Sequence, residues 1–180
     1  MIQKKSIRLL INCVIITAIV FVVLNSLHGK ASSKYEPPVS IDPKLLYDVE
    51  QVTDGDTFKA RIGEKTITVR MLGMNTPETV DPRRPQECYG HEASDETKKL
   101  LTDSKVRLEA NPNRELRDKY GRYLLYVYLE DGTLVNEKLI LEGYAREYTV
   151  GKTFLFEKRF KNDEADAKKR NAGLWKECRG

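Results

Sequence analysis

The chain has 180 residues, which is enough for one domain and an additional segment. Its formal net charge of +4 comes from 31 basic and 27 acidic residues, but residues 1–30 hold four of the basic residues and no acidic one, which leaves 27 of each in residues 31–180. Net charge therefore excludes a general electrostatic argument for nucleic-acid binding, and such a function has to rest on specific residues.

The N-terminal segment has the composition of an export signal. Lys4, Lys5 and Arg8 precede an apolar run from Leu9 to Leu24, and small polar residues follow it. We expect residues 1–30 to be a cleaved signal peptide or an N-terminal membrane anchor that uses residues 7–27. Both alternatives predict an extracytoplasmic protein, either secreted or attached to the membrane.

The next segment, residues 31–44, is rich in serine and proline and is predicted to be a linker. The folded domain is expected to span residues 45–178.

Three strands are predicted at the start of this domain. Tyr47–Val52 and Thr57–Ile62 flank Asp54-Gly55, which is a strong hairpin turn signal. The third segment, Lys65–Leu72, alternates between apolar and polar residues, which is typical of a half-buried strand. The same alternation puts Arg70 on the face opposite the apolar one.

The remaining elements complete a small barrel. A long loop from Gly73 to Gly90 contains three prolines, and loops of this length in a compact domain are often functional. After it, the pattern predicts two more strands and three helices: helix 91–103, strands 105–110 and 123–129, and helices 135–142 and 154–172. We therefore predict an α+β protein dominated by β structure, a five-stranded OB-fold barrel with three helices.

Two segments near the third strand carry residues suited to metal and phosphate chemistry. Asp56 is an acid at the start of a strand, where aspartate is disfavoured. After Arg70, the loop offers the Asn75 amide oxygen, the Thr76 carbonyl and the Glu78 carboxylate, which are hard oxygen donors of the kind that calcium prefers. Taken alone, the Asp56 segment is better explained as turn polarity, and the segment after Arg70 is equally well explained as a polar surface loop.

A third segment places Arg122 at the start of a strand and Tyr120 beside it. An arginine fork matches phosphate oxygens, and an exposed tyrosine offers a face on which a base can stack. A tight turn with an ordinary surface tyrosine would have the same sequence.

Together and in this order, these segments resemble staphylococcal nuclease and its relatives. The resemblance covers roughly residues 47–175 and includes the following motifs in register: Asp54-Gly55-Asp56-Thr57, Arg70, Thr76-Pro77-Glu78-Thr79, Tyr89-Gly90, Asp118-Lys119-Tyr120-Gly121-Arg122 and Val135-Asn136-Glu137.

The resemblance implies a calcium-dependent endonuclease that hydrolyses single-stranded or frayed DNA and RNA with little sequence specificity. Asp56 and the Thr76 carbonyl would bind Ca²⁺, and Glu78 would be the general base. Arg70 and Arg122 would hold the scissile phosphate. Two fixed guanidinium groups and a divalent ion are suitable partners for the charge that builds up in phosphodiester hydrolysis.

The chain departs from the family pattern at a metal-binding position. Asn75 stands where the family has a second calcium-binding aspartate, so we expect weaker calcium binding than in a relative with aspartate there. A weakly active or inactive OB-fold module that only binds nucleic acid is the alternative. Arg83 and Arg84 match a basic loop beside the nucleotide site, or are a solvated loop. The family's stacking tyrosine does not align cleanly with Tyr148.

Cys88 and Cys178 are an even pair in the predicted exported part of the chain. In an oxidising compartment they are candidates for a disulfide, and two free thiols are the alternative. A monomer is expected.

Overall fold

A computed structural model describes residues 38–79 and 86–178. The predicted export segment, the first half of the predicted linker (residues 31–37), and Arg83 and Arg84 lie outside these ranges. Val39 and Ile41, at the end of the predicted linker, pack against the barrel core, and the Val39 amide donates to the Tyr123 hydroxyl over 2.8 Å. The helices within the described ranges are all too short or too polar to cross a membrane.

The described residues form a closed barrel of five strands, as predicted. Its strands are β1 (Leu46–Asp54), β2 (Thr57–Ile62), β3 (Lys65–Met71), β5 (Lys105–Ala110) and β6 (Tyr123–Tyr128), in the spatial order β1-β2-β3-β6-β5. Neighbouring strands are antiparallel, except that β3 and β6 run parallel. The barrel closes where β1 pairs with β5. It therefore has no unpaired edge strand to which a strand of another chain could add.

Apolar side chains at alternate positions of the strands fill the barrel interior. Phe58, Val69, Leu108 and Leu125 are completely buried. Arg70 alternates with the core residues of β3 as predicted, yet its side chain is also enclosed, with 11% of it exposed. Its burial depends on a partner in the site described below.

Four helices surround the barrel in the described residues: α1 (Gly90–Leu101), α2 (Val135–Leu141), α3 (Glu157–Arg170) and the single turn α4 (Leu174–Glu177). The last long helix begins at Glu157 rather than at residue 154 as expected, because Phe154 and Phe156 enter the core from the preceding loop. The backbone at Gly143 passes so close to the turn between α3 and α4 that a Cβ atom there would lie 2.2 Å from the Ala172 carbonyl oxygen.

A small second sheet crosses one end of the barrel. Strand β4 (Met74–Asn75) pairs with β7 (Arg146–Glu147). Beside it, the fully buried Asn136 accepts from the Val127 amide over 2.9 Å and donates to the Leu72 carbonyl over 2.9 Å. This amide therefore fixes the chain between β3 and β4, where the loop with the candidate site residues begins.

Cys88 and Cys178 form a disulfide with a Cα–Cα distance of 5.8 Å. It joins the segment that precedes α1 to the end of α4, across 90 positions of the sequence.

Candidate active site

One groove of about 910 Å³ at the end of the barrel brings together the residues that three separate sequence segments predicted. Its lining includes Asp56, Arg70, Asn75, Thr76, Glu78, Tyr120 and Arg122. The strand ends β1–β2, the β3–β4 connection and the β5–β6 loop supply them. Residues more than 60 positions apart therefore face one space.

Asp56 and Arg70 form a buried ion pair in this groove. Asp56 precedes β2 directly, and the next residue, Thr57, lies opposite Arg70 in the β2–β3 ladder. This register sets Asp56 Oδ2 and Arg70 Nη1 2.7 Å apart. The same guanidinium donates to the Met74 carbonyl over 3.0 Å and to Asn75 Oδ1 over 2.7 Å. Arg70 therefore has a fixed position before any ligand binds.

The Asn75–Thr76 segment is held close to Asp56. The Asn75 side-chain amide donates to the Thr76 carbonyl over 3.0 Å, and the Thr76 amide donates to Asp56 Oδ2 over 3.3 Å. Glycine at position 55 permits this approach, since a Cβ atom there would lie 2.7 Å from Thr76 Oγ1. The Asp54-Gly55 turn thus lets two loops meet, in addition to reversing the chain.

Asp54 is a site residue that the sequence reasoning assigned only to a turn. It lines the groove and is 7% exposed, and burial raises the pKa of its carboxyl. Thr79 Oγ1 donates to Asp54 Oδ1 over 2.6 Å, as does the Gly55 amide over 2.8 Å. The spacing Asp-Gly-Asp is the signal that could have identified it, because the turn places both carboxylates at one end of the barrel.

Glu78 is half-buried and is held through its main chain by a second acid. The Glu78 amide donates to Glu87 Oε2 over 3.2 Å, and the Glu87 amide donates to the Glu78 carbonyl over 3.1 Å. Glu87 precedes Cys88 of the disulfide. The position of Glu78 is therefore linked to the C-terminal end of the domain, which sequence patterns did not indicate.

Arg122 is oriented by Asp118, four residues earlier. Asp118 Oδ2 accepts from Arg122 Nε and Nη2, each over 2.7 Å, while Oδ1 accepts from the backbone amides of Tyr120 and Arg122 over 2.9 and 3.0 Å. Asp118 thus holds the Nε/Nη2 edge of the guanidinium, which leaves the edge with Nη1 for a ligand. Tyr120 is 71% exposed, and its ring lies 5.4 Å from the Arg122 guanidinium carbon.

The donor set around Asp56 suits a hard cation. A carboxylate, an amide oxygen and a backbone carbonyl are oxygen ligands that calcium accepts, and Thr76 Oγ1 is buried without a hydrogen-bond partner in the described structure. No cluster of three His, Cys, Asp or Glu side chains in residues 38–79 and 86–178 could hold a metal ion by itself. An ion here would rely on neutral oxygens as well as on carboxylates.

Another wall of the groove comes from the segment after β7. Tyr148 and Val150 line it, and each is 52% exposed. The Tyr148 amide donates to the Gly73 carbonyl over 3.0 Å, which attaches the start of this wall to the barrel.

Comparisons with known proteins identify relatives of this chain. Residues 68–177 match the family model described as staphylococcal nuclease homologue. A thermonuclease of Staphylococcus hyicus is 41% identical over 129 residues, which is 72% of this chain and 75% of that protein. A thermonuclease of Staphylococcus intermedius is 36% identical over 90% of this chain and 95% of its own length. Endonuclease YncB of Bacillus subtilis is 37% identical over 82% and 71%, respectively.

Proposed function

Because this chain belongs to the staphylococcal nuclease homologue family and is a phosphodiester hydrolase, we propose that it is a calcium-dependent endonuclease that cuts DNA and RNA at the groove described above. The observation that carries the proposal is that Asp56, Arg70, Glu78 and Arg122 line one space. A carboxylate base, two guanidinium groups and an oxygen-rich metal site are a suitable set for phosphodiester hydrolysis.

Each side chain has a distinct role in this proposal. Glu78 removes a proton from the attacking water as the water approaches phosphorus. Arg122 donates to a phosphate oxygen with the edge that Asp118 leaves available, and Arg70 donates to a second oxygen. Both guanidinium groups keep their charge throughout and stabilise the additional negative charge of the transition state.

Asp56, Asn75 and the Thr76 carbonyl would hold the calcium ion. When bound, Ca²⁺ supplies Lewis-acid polarisation of a phosphate oxygen. The oxygens of this set are engaged by Arg70 and by the Asn75 amide group in the structure. Since the set has an amide where a second carboxylate would add charge, we propose weak calcium affinity.

The proposed substrate is a single strand or a frayed end. Tyr120 offers an exposed ring at the groove, and stacking on aromatic rings requires a base that is not already stacked in a duplex. Stacking accepts all four bases, which accounts for little sequence preference.

We propose an extracytoplasmic location, with residues 1–30 as a signal peptide or anchor. The Cys88–Cys178 disulfide supports this, because structural disulfides persist in oxidising compartments and are rare in the cytosol.

Digestion of denatured DNA by the purified protein tests the function. We expect cutting with millimolar Ca²⁺, loss of cutting with excess chelator, and a fall of 100-fold or more, of the order expected for general base catalysis, in Glu78→Gln. Glu64→Gln, in the exposed turn between β2 and β3, is the matched control and should cut normally.

Undiminished cutting by Glu78→Gln would show that Glu78 is not the general base. Cutting that chelator leaves unchanged would contradict the role of calcium. Binding of DNA without cutting by the unaltered protein would favour a nucleic-acid-binding module instead.

A further inference from the structure

Two loops each contribute a wall of the groove. The first loop, residues 111–122 between β5 and β6, carries Tyr120, and the second loop, residues 148–156 between β7 and α3, carries Tyr148 and Val150. The second loop has no regular secondary structure. Its position therefore depends on side chains that reach it from other elements.

The buried Asn111 joins the two loops at their base. It is 4% exposed, and its Oδ1 accepts from the Leu155 amide over 2.9 Å and from the Tyr126 hydroxyl over 3.1 Å. This contact fixes the end of the second loop against the barrel, and it leaves residues 149–153 to be held separately.

Arg114 holds that remaining part. Its Nη1 donates to the Lys152 carbonyl over 2.5 Å, and its Nη2 donates to the Val150 carbonyl over 2.8 Å. Both acceptors are neutral main-chain oxygens of the second loop, whereas Arg114 belongs to the first. The planar fork of an arginine is suited to bridging two acceptors at a fixed spacing.

We propose that Arg114 is a positioning residue that sets the distance between the two walls of the groove. It fixes Val150 through that residue's own carbonyl, and so fixes the exposed apolar surface that the second loop presents to the groove. The effect on catalysis rests on the proposed function. Since Glu78, Arg70 and Arg122 are held by other partners, loss of the bridge should weaken strand binding and leave the chemical step nearly unchanged.

Kinetics of Arg114→Ala and Arg114→Lys on a single-stranded oligonucleotide test the proposal. Lysine keeps the charge and lacks the fork, so both variants should raise KM by about fivefold to tenfold, which corresponds to the net contribution of about one hydrogen bond, with kcat within about twofold. Arg107→Ala is the matched control. Arg107 lies against Tyr128 outside the groove, and its removal deletes the same charge.

Limited trypsin digestion gives a readout that does not depend on activity. Lys152 is exposed in the second loop, so the bond after it should be cut several times faster in both Arg114 variants than in the unaltered protein or in Arg107→Ala. Mass spectrometry of the fragments, separated on a reducing gel, identifies the bond.

The two readouts separate the possible failures. If Arg114→Lys keeps the KM and the cleavage rate of the unaltered protein, Arg114 acts through its charge and the proposal is overturned. Unchanged cleavage after Lys152 in both variants overturns it as well. If trypsin cuts faster after Lys152 in the Arg114 variants but the unaltered protein does not cut DNA, the bridge is supported and the proposed function is contradicted.

Discussion

The Asp56 carboxylate and the Arg70 guanidinium are 2.7 Å apart, and about a tenth of each side chain is exposed. A guanidinium proposed to bind phosphate is thus paired with a carboxylate proposed to bind metal. The pair lets two opposite charges remain buried at the end of a barrel, which neither could do alone.

Removal of the arginine should therefore be costly even without a substrate. We expect Arg70→Met to lower the free energy of unfolding by about 3 kcal/mol, because it leaves an unpaired carboxylate in a buried position. Denaturant unfolding in the presence of chelator measures this. In Arg61→Met, which breaks the solvent-exposed ion pair with Glu50, the loss should be below about 1 kcal/mol. Equal losses in the two variants would contradict the interpretation of a buried pair.

Asn75→Asp should tighten calcium binding. The substitution adds a carboxylate charge to the site and removes the amide group that donates to the Thr76 carbonyl, which makes that oxygen available. We expect the dissociation constant for Ca²⁺ to fall roughly tenfold in a calorimetric titration. Asn162→Asp adds the same charge on the exposed side of α3 and should leave it unchanged. Unchanged or weaker binding by Asn75→Asp would refute this prediction.

Asp163 should make stability depend on pH. Burial, and then the Glu137 carboxylate across the α2–α3 contact, raise the pKa of Asp163 to about 6, although Arg159 opposes the shift. In the unfolded chain the same carboxyl loses its proton near pH 3.8. The folded state therefore binds more protons between these values, and the contribution of Asp163 to stability falls as pH rises through that window.

We expect Asp163→Asn to raise Tm by a few degrees at pH 7.5, and the gain to disappear below about pH 4. Thermal unfolding from pH 4 to pH 8 measures this. Asp103→Asn, at an exposed position just after α1, controls for the change in net charge. A gain that is the same at all pH values would contradict the assignment.

The disulfide should contribute strongly to stability. Closing a loop across 90 positions restricts the unfolded chain, and the double variant Cys88→Ser/Cys178→Ser should lose about 4 to 5 kcal/mol of unfolding free energy. Denaturant unfolding of both proteins measures the loss. Thiol titration is the check, since reductant should expose two additional thiols in the unaltered protein. A thiol count that reductant does not change would exclude the bridge.

The barrel could be predicted because its strands carry their own signals. The bounds of β2 and β5 agree with the predicted ranges to the residue. Strands β4 and β7 were not predicted, because two residues each are too short to show a period. Their pairing depends on contacts between segments far apart in the sequence, which no local pattern contains.

The site was predicted as a set of residues and not as a network. Motifs named Asp56, Arg70, Glu78 and Arg122, and the structure brings them to one groove. The contacts that orient them were missed: the pairing of Glu87 with Glu78, and the Arg114 fork on the second loop. Each of these joins chain segments whose relative position exists only after folding.

The covalent link from Cys88 to Cys178 spans β5, β6, α2 and α3, together with both loops of the groove. A single backbone cut anywhere in that interval, including the one after Lys152, leaves two pieces of one molecule. The cut ends cannot diffuse apart, so their reassociation is intramolecular and independent of protein concentration. A nick in the loop between β7 and α3 should therefore leave the two pieces joined and able to reassemble the barrel.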